Sequence, residues 1–297
     1  ELVARCLCAH PTLPLYLAAA GDSDIEFRQF GQIAQGDGLH DHLRAQYPIP
    51  KHCSPAQSIR FSPSGERFGA VDSAGHLCLW RLGATPAPEQ TLHCHTKWAA
   101  DLCYIDSSML LASVGHSGSS GCSVGVWDPL LPPSKALVAS ANPHPEGGCS
   151  ILYSAKAQSL VSGGYRGDMA VFDLRQRRTR GSWVAHPLTV RALAFYDDSC
   201  RRVFSGAADG SIRLWDLEAD ERRIGEEPSL VAEWPRAHEP HTQLMPLAGT
   251  SIGRAYGVTS IVRSGQQMLS TGADGTGKAR VVAIDRTVSG RSQDSEQ

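Results

Sequence analysis

Five cysteine and histidine residues in this chain have the types and spacing that could bind a metal. His93-Cys94-His95 and Cys6-x-Cys8 offer the imidazole and thiol groups that Zn²⁺ prefers. In an extended strand, neighbouring side chains point to opposite faces, so Cys94 cannot converge with its two histidine neighbours on one ion. Cys6 and Cys8 share a face but lack a second pair of cysteines. We therefore predict no metal site and no cofactor.

Motifs of nucleotide binding and hydrolysis are not found either. The chain has no G-x-x-x-x-G-K-[S/T] loop, no H-E-x-x-H helix and no G-x-S-x-G elbow. Gly272-Ala-Asp274-Gly275 is predicted to be a turn between strands, because no helix follows to present its N-terminus to a phosphate. The aspartates elsewhere lie mostly in turn positions, where they cap the backbone. These patterns predict a chain with no catalytic residues, that is, not an enzyme.

A repeated unit gives the architecture in which these residues are held. The clearest copy runs from His186 to Asp216 and contains three runs of alternating apolar residues, separated by turns such as Asp209-Gly210. A period of two indicates short β-strands joined as hairpins and excludes a helical repeat. Recognisable copies occur six times, and the anchor residues of their third strands are Arg28, Trp80, Trp127, Phe172, Trp215 and Arg280.

The pitch of this repeat predicts the fold class. Successive anchors from Trp80 to Trp215 are 43 to 47 residues apart, whereas the outer steps are 52 and 65 residues. Blades of WD type repeat at roughly 40–45 residues, so the chain is predicted to be an all-β WD-repeat β-propeller. We assign residues 1–285 to the propeller, with a surface insertion at about 218–257, and residues 286–297 to a disordered polar tail.

The two ends of the repeat series do not match. The first copy begins at its innermost strand and the last copy ends at its third strand, and the chain begins without a methionine. We expect the chain to be a piece of a longer protein in which upstream residues complete the ring, as a further strand or a further blade. The closed propeller would then have six or seven blades.

Polar residues inside the repeats receive a structural interpretation. His186, Ser205, Asp209 and Trp215 resemble the hydrogen-bonded tetrad of WD repeats, which satisfies buried polar atoms, rather than part of a catalytic triad. Arg28 and Arg280 stand where other copies have a bulky anchor. We expect them to extend along the edge of the core with their charged ends in water, in preference to forming an anion site.

Composition narrows the classes of partner. The formal net charge is −2, so no charge excess favours nucleic acid or an anionic membrane. The densest basic run, Arg175 to Arg180, follows a third strand and is predicted to be a solvated connection between blades. Its alternative role is a patch for an acidic partner or lipid headgroups. Nine unevenly spaced cysteines indicate free thiols in a reducing compartment, and no apolar run is long enough to span a membrane.

Several stretches go beyond a generic repeat. Cys8 to Leu17, Arg60 to Asp72, Leu160 to Gly167 and Phe172 to Arg177 resemble segments of the rabconnectin/DmX-like family, which includes the yeast Rav-type regulator. The most distinctive is Ser270 to Val281, which resembles a segment near the end of that family's sequences. The resemblance extends over nearly the whole chain and departs from the family at Ala18-Ala-Ala20, Gly277 and Ala279. It identifies the chain as a C-terminal propeller of that family.

The resemblance implies a function for the parent protein. Members are large scaffolds that act with partner subunits to assemble the two sectors of the vacuolar-type proton ATPase, and so regulate organelle acidification. It implies proton-ATPase sector subunits and subunits of the regulatory complex as partners. The implied location is the cytoplasm, peripheral to endosomal, vacuolar or vesicle membranes. Two alternatives stay open: a reader of phosphopeptide or ubiquitin ligands, and an assembly adaptor unrelated to the ATPase.

Overall fold

Short alternating runs separated by tight turns form an all-β structure. The computed structural model of the chain describes residues 4–20, 24–30, 41–83, 85–106, 109–118, 121–217, 228–247, 250–265 and 267–282. Within them lie 25 strands and one 3₁₀ helix, Pro133–Lys135. All of these strands have four to seven residues, and within each sheet they pair with their neighbours in sequence as antiparallel hairpins, which is the pattern expected from a period of two.

The first three blades are sheets of four strands each. Blade 1 comprises β1 (Ala4–Ala9), β2 (Leu15–Ala20), β3 (Ile25–Phe30) and β4 (Asp41–Tyr47). Blade 2 comprises β5 (Ala56–Phe61), β6 (Arg67–Asp72), β7 (His76–Arg81) and β8 (Gln90–His93). Blade 3 comprises β9 (Trp98–Tyr104), β10 (Leu111–His116), β11 (Val124–Trp127) and β12 (Leu137–Ala141).

The remaining blades continue the series. Blade 4 comprises β13 (Gly148–Ser154), β14 (Ser159–Gly164), β15 (Asp168–Asp173) and β16 (Arg178–Val184). Blade 5 comprises β17 (Val190–Phe195), β18 (Arg202–Ala207), β19 (Ile212–Asp216) and β20 (Ser229–Trp234). A separate hairpin of β21 (His241–Leu247) and β22 (Thr250–Tyr256) precedes blade 6. Blade 6 has three strands: β23 (Val258–Ser264), β24 (Gln267–Gly272) and β25 (Gly277–Val281).

The hydrophobic core lies between the blades. Five buried clusters each join one blade to the next, from the blade 1–2 interface to the blade 5–6 interface. At the first of them Phe68 and Trp80 stack with ring centroids 5.1 Å apart. The first strands of successive blades also contact one another in order. A single small sheet cannot bury both of its faces, and this radial stacking covers them.

Blade 6 differs from the blades that have neighbours on both sides. Every residue of β14 in blade 4 is buried, whereas β25 alternates between exposed and half-buried residues. Val281 is 67% exposed, and Leu7 on blade 1 is 60% exposed. Among the residues that the structure describes, no hydrophobic cluster joins blade 6 to blade 1. That upstream residues complete this part of the ring stays a prediction.

The segment expected to be an insertion, 218–257, is in part a regular piece of the propeller. Residues 229–234 form β20, the fourth strand of blade 5, and only the β21–β22 hairpin is additional to the repeat. Residues 218–227 and the expected tail at 286–297 lie outside the described residues. The segment therefore combines a blade strand with a hairpin placed in the connection between blades 5 and 6.

Candidate functional site

A buried histidine begins each of blades 3 to 6. In blade 5, His186 Nε2 lies 2.7 Å from Ser205 Oγ, and Trp215 Nε1 donates to the same oxygen at 2.9 Å. His186 Nδ1 lies 2.9 Å from Ser211 Oγ, which donates to Asp209. This network confirms the predicted tetrad and places Ser211 between the histidine and the aspartate. His186 is almost fully buried, so the network supports the blade and faces no substrate.

Equivalent networks hold the neighbouring blades. In blade 3, His95 Nε2 lies 2.9 Å from Ser113 Oγ, which also accepts from Trp127 Nε1. His144 in blade 4 contacts Ser162 and Asp168, and His238 in blade 6 contacts Ser270 and Asp274. His95, the last residue of the His93-Cys94-His95 group that was considered as a metal site, is therefore a structural histidine of blade 3.

The electrostatics of these histidines also oppose an acid–base role. Burial lowers the pKa of His95 and of His186 to about 4, from the ordinary value of 6.5. Both rings are therefore neutral near pH 7, and their nitrogens are already committed to hydroxyl partners. The two histidines with a lowered pKa therefore serve to join strands within a blade.

Arg280 takes the place of the tetrad tryptophan in blade 6. Its Nη1 donates to Ser270 Oγ at 3.1 Å and its Nη2 donates to the Ala237 carbonyl at 3.1 Å. The guanidinium thus supplies the N–H that an indole supplies in blades 3 and 5. Arg28 in blade 1 instead pairs with Glu26 at 2.6 Å. The charged ends of both arginines thus contact polar groups of the protein, so the expectation that they extend into water was wrong.

Two further sequence expectations concern turns. Gly272-Ala-Asp274-Gly275 connects β24 to β25, as predicted, and Asp274 accepts hydrogen bonds from Thr276 that lower the pKa of its carboxyl. The basic run Arg175 to Arg180, in contrast, was expected between blades. It forms the turn and the start of β16 within blade 4, because β15 and β16 pair directly. The prediction was wrong because it assumed three strands in each blade.

Blade 2 lacks the histidine–serine network. Ala70 occupies the position of the tetrad serine, on the strand opposite Trp80, and Trp80 Nε1 is buried without a hydrogen-bond partner. His52 lies at the sequence position of the tetrad histidine but is exposed. The indole N–H therefore has no acceptor in the place where Ser113 and Ser205 provide one in other blades.

We expect Ala70→Ser to stabilise the propeller by about 1 kcal/mol, because an unsatisfied buried donor costs about 1–3 kcal/mol. Ala70 and Trp80 line a small cavity that can take a hydroxyl group. Urea unfolding would measure the gain, with Ala70→Val as a control that fills the same space without an acceptor. Equal stabilisation by serine and valine would show that the gain comes from packing alone.

In blades 3 to 5, the connections near the buried histidines form a continuous surface, here called the loop face. It consists of Trp98, Glu146, Tyr165, Arg166 and Leu188. Tyr165 is 46% exposed and Leu188 is 42% exposed. Arg166 Nη2 lies 3.0 Å from Glu146 Oε1, and the Tyr165 amide donates to the Gly147 carbonyl at 2.9 Å. Aromatic, aliphatic and arginine side chains therefore meet at the surface on a backbone that three buried histidine networks support.

A reader of phosphopeptide or ubiquitin ligands, the alternative left open above, would need an arginine cluster around the central channel. Arg60 on a first strand is one arginine to consider for that role. Arg60 on β5 is ion-paired to Asp101 on β9, with Nη2 and Oδ1 2.8 Å apart. Asp101 Oδ1 also accepts from Ser58, and Asp101 Oδ2 accepts from the Ile151 amide of blade 4. Arg60 is thus part of a network that joins the first strands of three blades, and its charge is compensated within it.

Sequence reasoning missed one group of chemistry-bearing residues. Cys53, Asp72 and His76 in blade 2 present ligand atoms that all lie within 4.8 Å of one another. These residues form no C-x-x-C pattern or other local metal-binding motif. The pairing of β5, β6 and β7 brings them together. No helix among the described residues is long and apolar enough to cross a membrane.

Comparison with known proteins agrees with this architecture. The family model "WD domain, G-beta repeat" matches residues 177–216, which cover β16 and the first three strands of blade 5. By structure, the chain is similar to "Structure of U3-55K", with a TM-score of 0.68, 18% identity, and coverage of 94% of this chain and 77% of that one. A likeness at this identity shows the fold alone. WD-repeat propellers, the class that the family model names, are generally non-catalytic protein-interaction domains.

Sequence comparison reaches further. The chain is 31% identical over 289 residues to DmX-like protein 1 from Mus musculus and likewise to the one from Homo sapiens, covering 94% of this chain. It spans only 9% of the length of those relatives. Together with the six blades and the histidine networks of blades 3 to 6, this match over nearly the whole of the given chain shows that it is a WD-repeat propeller belonging to the rabconnectin/DmX-like family.

Proposed function

We propose that this propeller is a non-catalytic docking module within a large regulator of vacuolar-type proton-ATPase assembly, and so of organelle acidification. The partners would be ATPase sector subunits and other subunits of the regulatory complex. The module would act in the cytoplasm, peripheral to endosomal, vacuolar or vesicle membranes. The match to DmX-like protein 1 supports the assignment to that pathway. The loop face is the observation that carries the docking role.

The loop face has the composition of an interface centre. Tyrosine, tryptophan and arginine dominate the residues whose removal costs most binding energy in protein complexes. Tyr165 and Trp98 provide aromatic area, and Leu188 adds an exposed aliphatic group beside Thr189, whose hydroxyl donates to the Tyr165 carbonyl. Because buried histidines hold the connections on either side, docking would cost little ordering of the loops.

We expect the double variant Tyr165→Ala/Leu188→Ala to weaken partner binding by about 30-fold, which corresponds to the loss of one strong hot spot of about 2 kcal/mol. The measurement is affinity capture from cell lysate with this chain as bait, quantified by mass spectrometry. Leu130→Ala is the matched control, because Leu130 is 76% exposed but lies in the β11–β12 connection at the opposite end of the strands.

The identity of the captured proteins tests the second part of the proposal. Enrichment of proton-ATPase subunits that is lost in the double variant and kept in Leu130→Ala would support both parts. Capture of other proteins through the loop face would leave a docking module but contradict the ATPase assignment. Unchanged capture by the double variant would place the docking surface elsewhere on the propeller.

A further inference from the structure

Blade 2 replaces the histidine–serine network with a different set of polar side chains. Cys53 Sγ, a carboxylate oxygen of Asp72 and a ring nitrogen of His76 lie within 4.8 Å of one another. A second sulfur is in contact with this group, since Cys78 Sγ lies 3.5 Å from Cys53 Sγ. His76 Nδ1 and Asp72 Oδ2 are 3.0 Å apart. One thiol, one imidazole and one carboxylate thus meet in one place, and a second thiol contacts the first.

A cavity with an unused polar group adjoins these residues. Its volume is about 10 Å³, and Cys53, Asp72, Cys78 and Trp80 contribute to its lining. Trp80 is 1% exposed, and its Nε1 has no partner. A space that holds about one water molecule or ion, lined in part by this tryptophan, lies beside the two sulfurs.

Two of the separations between these side-chain atoms are near those around a small tetrahedral ion. Bonds of about 2.3 Å to sulfur and 2.0–2.1 Å to nitrogen or oxygen place tetrahedral ligands roughly 3.3–3.8 Å apart. The 3.5 Å between the sulfurs and the 3.0 Å between His76 Nδ1 and Asp72 Oδ2 lie close to this range. A disulfide would need a sulfur separation of about 2.05 Å, which requires a larger movement.

We propose that Cys53, Cys78, His76 and Asp72 form a structural Zn²⁺ site in blade 2. Sulfur and imidazole ligands together with one carboxylate suit the borderline-soft Zn²⁺ better than Ca²⁺ or Mg²⁺, which take oxygen ligands. Binding releases the protons of the two thiols, so the complex of Zn²⁺ with two thiolates, one carboxylate and a neutral imidazole carries one negative charge. Trp80, whose Nε1 has no partner, lines the same cavity and would donate to a sulfur ligand.

The loops around the site are already held in place. Asp72 Oδ1 accepts from the amides of Ala74 and His76, and its Oδ2 accepts from the Ser54 amide at 2.7 Å. Both oxygens thus accept from backbone amides, and Oδ2 also contacts the His76 ring. Cys53 and His76 are half-buried, which leaves a route for the ion from solvent. In this blade the ion would link the residues before β5 to β6 and β7, as the histidine does in other blades.

The test is a titration of the fully reduced chain with Co²⁺, followed by displacement with Zn²⁺. We expect one equivalent to produce a sulfur-to-cobalt charge-transfer band and the visible bands of tetrahedral cobalt, both abolished by Zn²⁺. Cys53→Ser and His76→Gln should weaken binding by about 100-fold or more. Cys200→Ser, which removes a half-buried thiol from a turn in blade 5, should bind like the unaltered chain.

Unfolding curves without metal separate a ligand role from a packing role. Cys53 and His76 are half-buried, so their variants should unfold near the unaltered chain and lose only the stabilisation by Zn²⁺. Three outcomes would overturn the proposal. The first is cobalt binding without a charge-transfer band. The second is binding by Cys53→Ser that equals binding by the unaltered chain. The third is a reduced chain that takes up no zinc and forms a Cys53–Cys78 disulfide on reoxidation.

Discussion

Gly210→Ala is expected to destabilise this propeller by at least about 3 kcal/mol. Gly210 has a φ of +84°, and a Cβ added there would lie 1.9 Å from the His238 carbonyl oxygen. That oxygen belongs to the histidine that begins the blade 6 network, and the His238 amide donates to the Gly210 carbonyl at 3.0 Å. An alanine would therefore push two blades apart in addition to the cost of a left-handed backbone.

A matched glycine separates these two costs. Gly275 occupies the same turn position in blade 6, with a φ of +74°, but an added Cβ there meets no atom within 4 Å. Gly275→Ala should cost only about 1–2 kcal/mol, the penalty of the left-handed conformation. Urea unfolding of both variants measures the difference. Equal destabilisation would mean that the turn conformation, and not the contact between blades, makes glycine necessary at this position.

The same contact recurs at other blade junctions. Gly75 and Gly167 have φ values of +88° and +84°, and a Cβ on them would lie 1.8 and 1.9 Å from the carbonyl oxygens of His95 and His186. Glycine in the turn after the second strand therefore lets the first residues of the next blade approach. Asp209-Gly210 was predicted from sequence as a turn, but its role as a contact between blades depends on neighbours that a single repeat does not contain.

The inner three strands of each blade could be predicted from sequence because they alternate apolar and polar residues and carry the bulky anchors. The fourth strands could not. Six of the seven residues of β16 are exposed, including Arg178 and Arg180, so this strand has no alternating apolar pattern. It pairs with β15 because the backbone hydrogen-bonding groups at the free edge of β15 accept a further strand. This explains why the run Arg175 to Arg180 was placed between blades.

The polar networks were predictable to different degrees. The tetrad of blade 5 follows from residue types at the spacing of the repeat, and the structure confirms it. Arg280 was identified as an unusual anchor, but its bond to Ser270 required knowledge of the strand register. The cysteine and histidine group of blade 2 had no local sequence motif, because its members come from a loop and two strands. Such a site is visible only when the strands are paired.

The buried histidines also predict how stability depends on pH. The pKa of His95 and of His186 is about 4 in the folded chain, because burial disfavours the charged ring. In the unfolded chain both rings have the ordinary pKa of about 6.5. Between these values the unfolded state binds more protons than the folded state, so the free energy of unfolding decreases as the pH falls from 6.5 towards 4.

We therefore expect the free energy of unfolding to fall by about 2 kcal/mol per histidine, and by about 4 kcal/mol for the two, between pH 7.5 and pH 5. Carboxyls with ordinary pKa values stay ionised over this range, which is why the comparison ends at pH 5. Urea unfolding at the two pH values measures the change.

The variant His186→Gln tests the contribution of one histidine. It should lower stability at pH 7.5, because Ser205 and Ser211 lose a partner, yet the decrease in its free energy of unfolding towards pH 5 should be about 2 kcal/mol smaller. A variant with the full decrease would show that His186 is not held neutral in the folded chain, and the blade 5 network would then have to accommodate a charged ring.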